Sequence, residues 1–115
     1  MINEHVYINK NSLSHKLCEE IIDLYEKEDK NKNTYLGATA QGVKKDIKDT
    51  VDFSIKSNDD KWKRIRKCLE TEVLYNLDIY TKSMNNKYNS INYKALPTTM
   101  FFDTFQIQRY RKNVG

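Results

Sequence analysis

His5 and His15 are the only histidines in the chain, and each is followed two residues later by Tyr7 or Leu17 rather than by Asp or Glu. No second ligand stands at a metal-binding spacing from either, so both read as surface or capping residues, and zinc is not expected. Cys18 and Cys68 have no His placed to generate a thiolate nucleophile. Flanked by Leu17 and Leu69 in stretches of helical character, they read as small buried hydrophobes, and two cysteines make no disulfide framework. The adjacent pairs Glu19 with Glu20 and Asp59 with Asp60 point to different faces of a helix or sit at its terminus, which suits capping and solvation better than shared acid/base work.

The strongest candidate for nucleic-acid contact is the run Lys61, Lys63, Arg64, Arg66, Lys67, with Trp62 inside it. Trp62, however, falls on one helical stripe with Ile65 and Leu69, which predicts burial, and at about 100° per residue the cations spread over the remaining surface. A solvated helix face is the reading favoured. Lys44, Lys45 and Lys48 alternate with Asp46 and Asp49, a mixed-sign pattern that is weak as a phosphate tract. Specific nucleic-acid binding is therefore not expected, although the charge is uneven: residues 1–60 hold nine Lys and twelve acids, residues 61–115 eleven Lys or Arg and four acids.

With 115 residues and a net charge of +4, the chain has room for a single domain. Hydrophobic residues at 38% and aromatics at 11% allow a modest core and argue against disorder. No apolar run approaches the roughly 20 residues that span a bilayer, and the first ten residues lack the apolar stretch of a secretory signal. The expectation is a soluble protein of a reducing compartment, the cytoplasm, or the virion or host cytoplasm if the source is viral.

These residues must be positioned by a short list of elements. Val6, Tyr7 and Ile8 read as an extended segment leading to a helix at about residues 14–28, with Ser12 or Ser14 as its cap and Glu19 and Glu20 favouring its positive end. Its apolar stripe is Leu17, Cys18, Ile21, Ile22, Leu24 and Tyr25. Residues 28–34 read as a loop, and Gly37 and Gly42 mark an irregular segment. Val51, Phe53 and Ile55 alternate with Thr50, Asp52 and Ser54, the pattern of a half-buried strand. A second helix, capped by Asp59 or Asp60, runs to about Met84 along Trp62, Ile65, Leu69, Val73, Leu77 and Tyr80, with Cys68 and Leu74 widening the stripe. Residues 85–99 read as a long loop. A last strand from Met100 through Arg111 puts Phe105 and Ile107 on one face and Gln106, Gln108 and Tyr110 on the other.

The ordered set Leu17-Cys18-Glu19-Glu20-Ile21-Ile22, a Gly-containing loop, Lys48-Asp49-Thr50-Val51-Asp52, a Trp62-led helix and Phe105-Gln106-Ile107-Gln108-Arg109-Tyr110 resembles the N-terminal part of iron(II)/2-oxoglutarate-dependent dioxygenases of the prolyl-4-hydroxylase-like group, viral and microbial members in particular. The resemblance spans nearly the whole chain. It implies an α+β fold, two helices packed on a small, mostly antiparallel sheet, corresponding to the front portion of an incomplete jelly roll, with residues 1–115 a single partial domain.

In that family the strand matching Gln106 to Tyr110 leads through a turn into an H-x-D motif that holds iron with a later His. This sequence contains no H-x-D or H-x-E, so the resemblance implies Fe(II) and 2-oxoglutarate as cofactors of the complete fold, and a peptidyl or small-molecule substrate, but no catalysis by these residues alone. One position carries over: the tyrosine of the R-Y pair contributes to the 2-oxoglutarate pocket, and its match is Tyr110. A phenol can donate to a carboxylate while its ring packs on the co-substrate carbons. Nothing after the last strand would cover its apolar face or pair its second edge, so the chain is expected to be marginally stable, to self-associate, or to need further barrel strands or a protein partner there. A stand-alone basic module binding nucleic acid or an acidic partner is the alternative.

Overall fold

The computed structural model describes residues 2, 3, 5–87 and 102–112. Two short strands, β1 (Ile2–Asn3) and β2 (Val6–Tyr7), form an antiparallel hairpin. Helix α1 (His15–Lys30) follows. It starts at Ser14, not Ser12, because the extended Ser14 turns its hydroxyl to accept from Leu17 N at 3.1 Å. Glu19 and Glu20 sit beyond its first turn, which holds no acid, so they do not act on the helix end as expected.

The other end is closed by two reverse bonds, Lys32 N to Asp29 O at 3.0 Å and Asn33 N to Glu28 O at 2.9 Å. This is the arrangement that usually places glycine in the left-handed region, and here Lys32 occupies it with φ 61°.

Strands β3 (Tyr35–Leu36), β4 (Thr50–Ile55) and β5 (Phe105–Tyr110) form an antiparallel sheet in the order β3-β4-β5. Between β4 and β5 a 3-10 turn, Asp60–Trp62, leads into α2 (Lys63–Lys87). Asp59 caps the turn by accepting from Lys61 N at 3.1 Å. The helix carries on through Asn85, Asn86 and Lys87, which the sequence pattern assigns to a loop; residues 88–99, and Met100, lie outside the described residues. No helix among the described residues is long and apolar enough to cross a membrane.

The core is one cluster of Tyr25, Phe53, Ile55, Trp62 and Ile65, with Leu17, Ile21, Leu24, Leu69, Phe105 and Ile107 packed against it. Trp62 is fully buried, its ring centre 5.1 Å from that of Phe53. The register pairs Phe53 with Ile107 and Ile55 with Phe105, so one sheet face presents four apolar side chains to both helices.

That packing corrects three expectations. The Phe105 and Ile107 face is not left open, because elements earlier in the chain cover it. Ile22 and Leu74 fall off their stripes and are more than half exposed. Thr50 and Asp52, which the period-2 pattern sends to solvent, are buried like Phe53 and Ile55, whereas Val51 between them is only part-buried. Cys18 and Cys68 are both free and only part-buried.

Candidate functional site

The sheet face turned away from the helices carries the candidate site. In the register, Gln106 lies opposite Ser54, Gln108 opposite Asp52 and Tyr110 opposite Thr50, with Tyr35 flanking Asp52 on the other side. Their polar ends form a connected row. Tyr110 Oη donates to Gln108 Oε1 at 3.3 Å, Gln108 Nε2 to Gln106 Oε1 at 3.0 Å, and Gln106 Nε2 to Tyr35 Oη at 3.0 Å, while Tyr35 Oη also bonds Ser54 Oγ. Tyr110 is half exposed, so its ring is open to a ligand. Arg109, its neighbour in sequence, points the opposite way: its guanidinium lies 5.2 Å from the centre of the Tyr25 ring.

Beneath the row lies a buried charge. Asp52 is wholly inaccessible, and neither of its carboxylate oxygens has a hydrogen-bond partner among the described residues; the same holds for Thr50 Oγ1. Lys48 Nζ stands 3.4 Å from Asp52 Oδ2, an ion pair that keeps the carboxylate from being left uncompensated. The lid over both residues is Gly37, whose N–H donates to Thr50 O at 2.9 Å. A Cβ there would collide with Thr50 Oγ1 and stand 3.0 Å from Asp52 Oδ2, so only glycine permits this approach. Sequence reasoning missed this group. Its signal was the Lys48 to Asp52 spacing of four residues together with a glycine in the preceding loop.

A second electrostatic seam joins the acidic first half to the basic second half. Lys61 Nζ meets Glu28 Oε1 at 2.8 Å, Arg109 Nη1 meets Asp29 Oδ2 at 3.3 Å and Glu26 Oε1 at 3.5 Å, Arg64 pairs with Glu20, and Arg111 with Asp49. Burial disfavours the Glu28 anion, but the hydrogen bonds from Lys61 and Asn33 and the Lys61 charge outweigh it, and its carboxyl stays below the usual range. The Trp62 indole N–H adds a smaller push the same way, without making a hydrogen bond among the described residues. Burial raises the Tyr25 phenol against the pull of Arg109, keeping it a neutral donor to Val51 O at 2.8 Å.

His5 is exposed in the turn of the first hairpin and His15 is exposed at the first position of α1. Among the described residues no three His, Cys, Asp or Glu side chains gather as metal ligands. The donors among the described residues do not fit a 2-His-1-carboxylate iron site. No family model, curated protein or solved structure matches this chain.

Proposed function

We propose that this chain is the N-terminal segment of an iron(II)/2-oxoglutarate-dependent dioxygenase of the prolyl-4-hydroxylase-like group, in which the polar sheet face looks toward 2-oxoglutarate and Tyr110 turns its hydroxyl from Gln108 to donate to it. The observation that supports this reading is the two-sidedness of the sheet. Both helices close one face, while the other holds a hydrogen-bonded row ending at a half-exposed Tyr110. Strand β5 pairs only with β4 among the described residues, and further strands of a jelly roll would extend the sheet from its other edge. Iron, oxygen activation and the hydroxylated peptidyl or small-molecule substrate belong in this reading to the complete enzyme, with iron held by residues other than these. Genomic sequence around this coding region tests it: an H-x-D downstream of the Arg109-Tyr110 pair, in the same or an adjacent reading frame, is expected, and a neighbourhood without one overturns it.

The basic-module alternative has less support. Lys61, Arg64 and Arg66, the centre of the cationic run, are in ion pairs with Glu28, Glu20 and Glu70. Only Lys63 and Lys67 of that run carry no ion pair among the described residues. Two exposed lysines give weak, salt-sensitive attraction to a polyanion rather than sequence-specific binding.

A further inference from the structure

A cleft of about 430 Å3 opens between α2 and the segment that links β2 to α1, and shares no residue with the polar sheet face. Its walls are Leu13, Leu69, Val73 and Leu77, flanked by the rings of Tyr7 and Tyr80. It is mainly apolar and falls in the size range of small-ligand pockets. At one end stand three polar groups that close on one another. Asn76 Nδ2 donates to Ser12 Oγ at 2.8 Å and to Glu72 O at 2.7 Å, and Ser12 Oγ donates to Glu72 Oε2 at 2.8 Å. Asn76 Oδ1 accepts from Asn9 Nδ2 at 3.0 Å.

The donors of Ser12 and Asn76 are thus spent, and Glu72, which lines the cleft, keeps Oε1 without a hydrogen bond among the described residues. The charge of Glu72 is also uncompensated. Of the acids on α2, Glu70 pairs with Arg66 at 3.2 Å and Asp78 with Lys82 at 2.9 Å, whereas Glu72 has no cation within ion-pair distance among the described residues. A part-buried carboxylate held by a neutral hydroxyl at the head of an apolar cleft is complementary to a cation with an apolar body.

We propose that this cleft binds an apolar primary ammonium compound, its body against Leu13, Val73 and Leu77 and its ammonium on Glu72. The site is separate from the sheet face and does not depend on the dioxygenase reading. The adjoining hollow shares Ser12 and Glu72 with the cleft and adds Arg64 and Lys67, a mixed-sign lining, so the probes must carry both signs.

The test is titration of the isotope-labelled chain with 4-phenylbutylamine, 4-phenylbutan-1-ol and 4-phenylbutanoate at neutral pH, followed by NMR. The amine should bind about fivefold to tenfold more tightly than the alcohol, the gain expected of one charge-assisted contact in a partly wet site. The carboxylate should bind most weakly, and the shifts should centre on the Leu13, Val73 and Leu77 methyl groups. Glu72→Gln keeps an acceptor for Ser12 and should bring the amine down to the alcohol without moving the alcohol. Equal binding of amine and alcohol, preference for the carboxylate, shifts centred elsewhere, or no saturable binding of the amine would each overturn the proposal.

Discussion

The Arg109 guanidinium lies against the ring of Tyr25, 5.2 Å from its centre, while its Nη1 reaches Asp29 one turn further along α1. Through this contact the edge strand β5 is fastened to the first helix, and the same Tyr25 ties that helix to the central strand by donating to Val51 O. Arg109→Leu should lower stability by about 1 kcal/mol through the lost cation-π contact at a half-exposed site. Tyr25→Phe should cost about 1 kcal/mol by leaving a strand carbonyl without its donor. Urea denaturation of each variant checks both; an unchanged midpoint in either would contradict the corresponding contact's part in the fastening.

The two faces of β5 should answer differently to the same substitution. Phe105→Lys and Ile107→Lys drive an ammonium among Trp62, Phe53 and Ile55 and should destabilise by about 2–4 kcal/mol. Gln106→Lys, on the polar face, should change stability by about 0.5 kcal/mol or less. Thermal unfolding distinguishes them, and improved solubility of the Ile107 variant with an unchanged midpoint would mean that its face is open.

How much of this was legible in the sequence differs from residue to residue. The helical stripe from Trp62 through Ile65 puts both inside, as found, although Trp62 belongs to the 3-10 turn that leads into α2, because a helix buries by period and the period is local. The covering of Phe105 and Ile107 was not legible, because the helices that pack on them lie far earlier in the chain and no local pattern encodes that pairing. Asp52 misled for a related reason. Alternation on a strand assigns faces, but here a returning loop with Gly37 and Lys48 covers the second face as well. The uneven charge of the two halves suggested a polyanion partner, whereas Arg64, Lys61 and Arg109 meet the first half's own acids. Tyr110 was placed correctly opposite Ile107; its hydrogen bond to Gln108 follows from the i, i+2 spacing on one face.

Backbone geometry supplies a pair of opposed tests. Lys32→Gly should stabilise by about 0.5–1 kcal/mol, since glycine takes the left-handed conformation without the steric cost that a Cβ carries. Gly37→Ala should destabilise by about 1–3 kcal/mol, because its methyl group meets Thr50 Oγ1 and the covered Asp52. Chemical denaturation midpoints moving in the same direction would contradict this account of the two positions.

Acid should weaken the seam between α1 and the 3-10 turn. Glu28 is held below its ordinary 4.5, so its contribution to stability is complete above that pH and is lost as the pH falls through its lower folded value. Asp29, held below its ordinary 3.8 chiefly by the Thr34 hydroxyl, works in the same sense. Melting temperatures measured from neutral pH into this range should fall, and Glu28→Gln should flatten the first part of the fall. An unchanged slope in that variant would mean that the Lys61 pair carries none of it.

The polar face and its terminal tyrosine carry the functional account, so titration of 2-oxoglutarate into the labelled chain, read at Gln106, Gln108 and Tyr110, tests it most directly. The account predicts saturable shifts confined to those residues and their β4 partners, weakened at least about threefold by Tyr110→Phe, the loss of one donor to a carboxylate. Shifts scattered over the basic helix α2, indifference to Tyr110→Phe, or no saturable binding at all would contradict it.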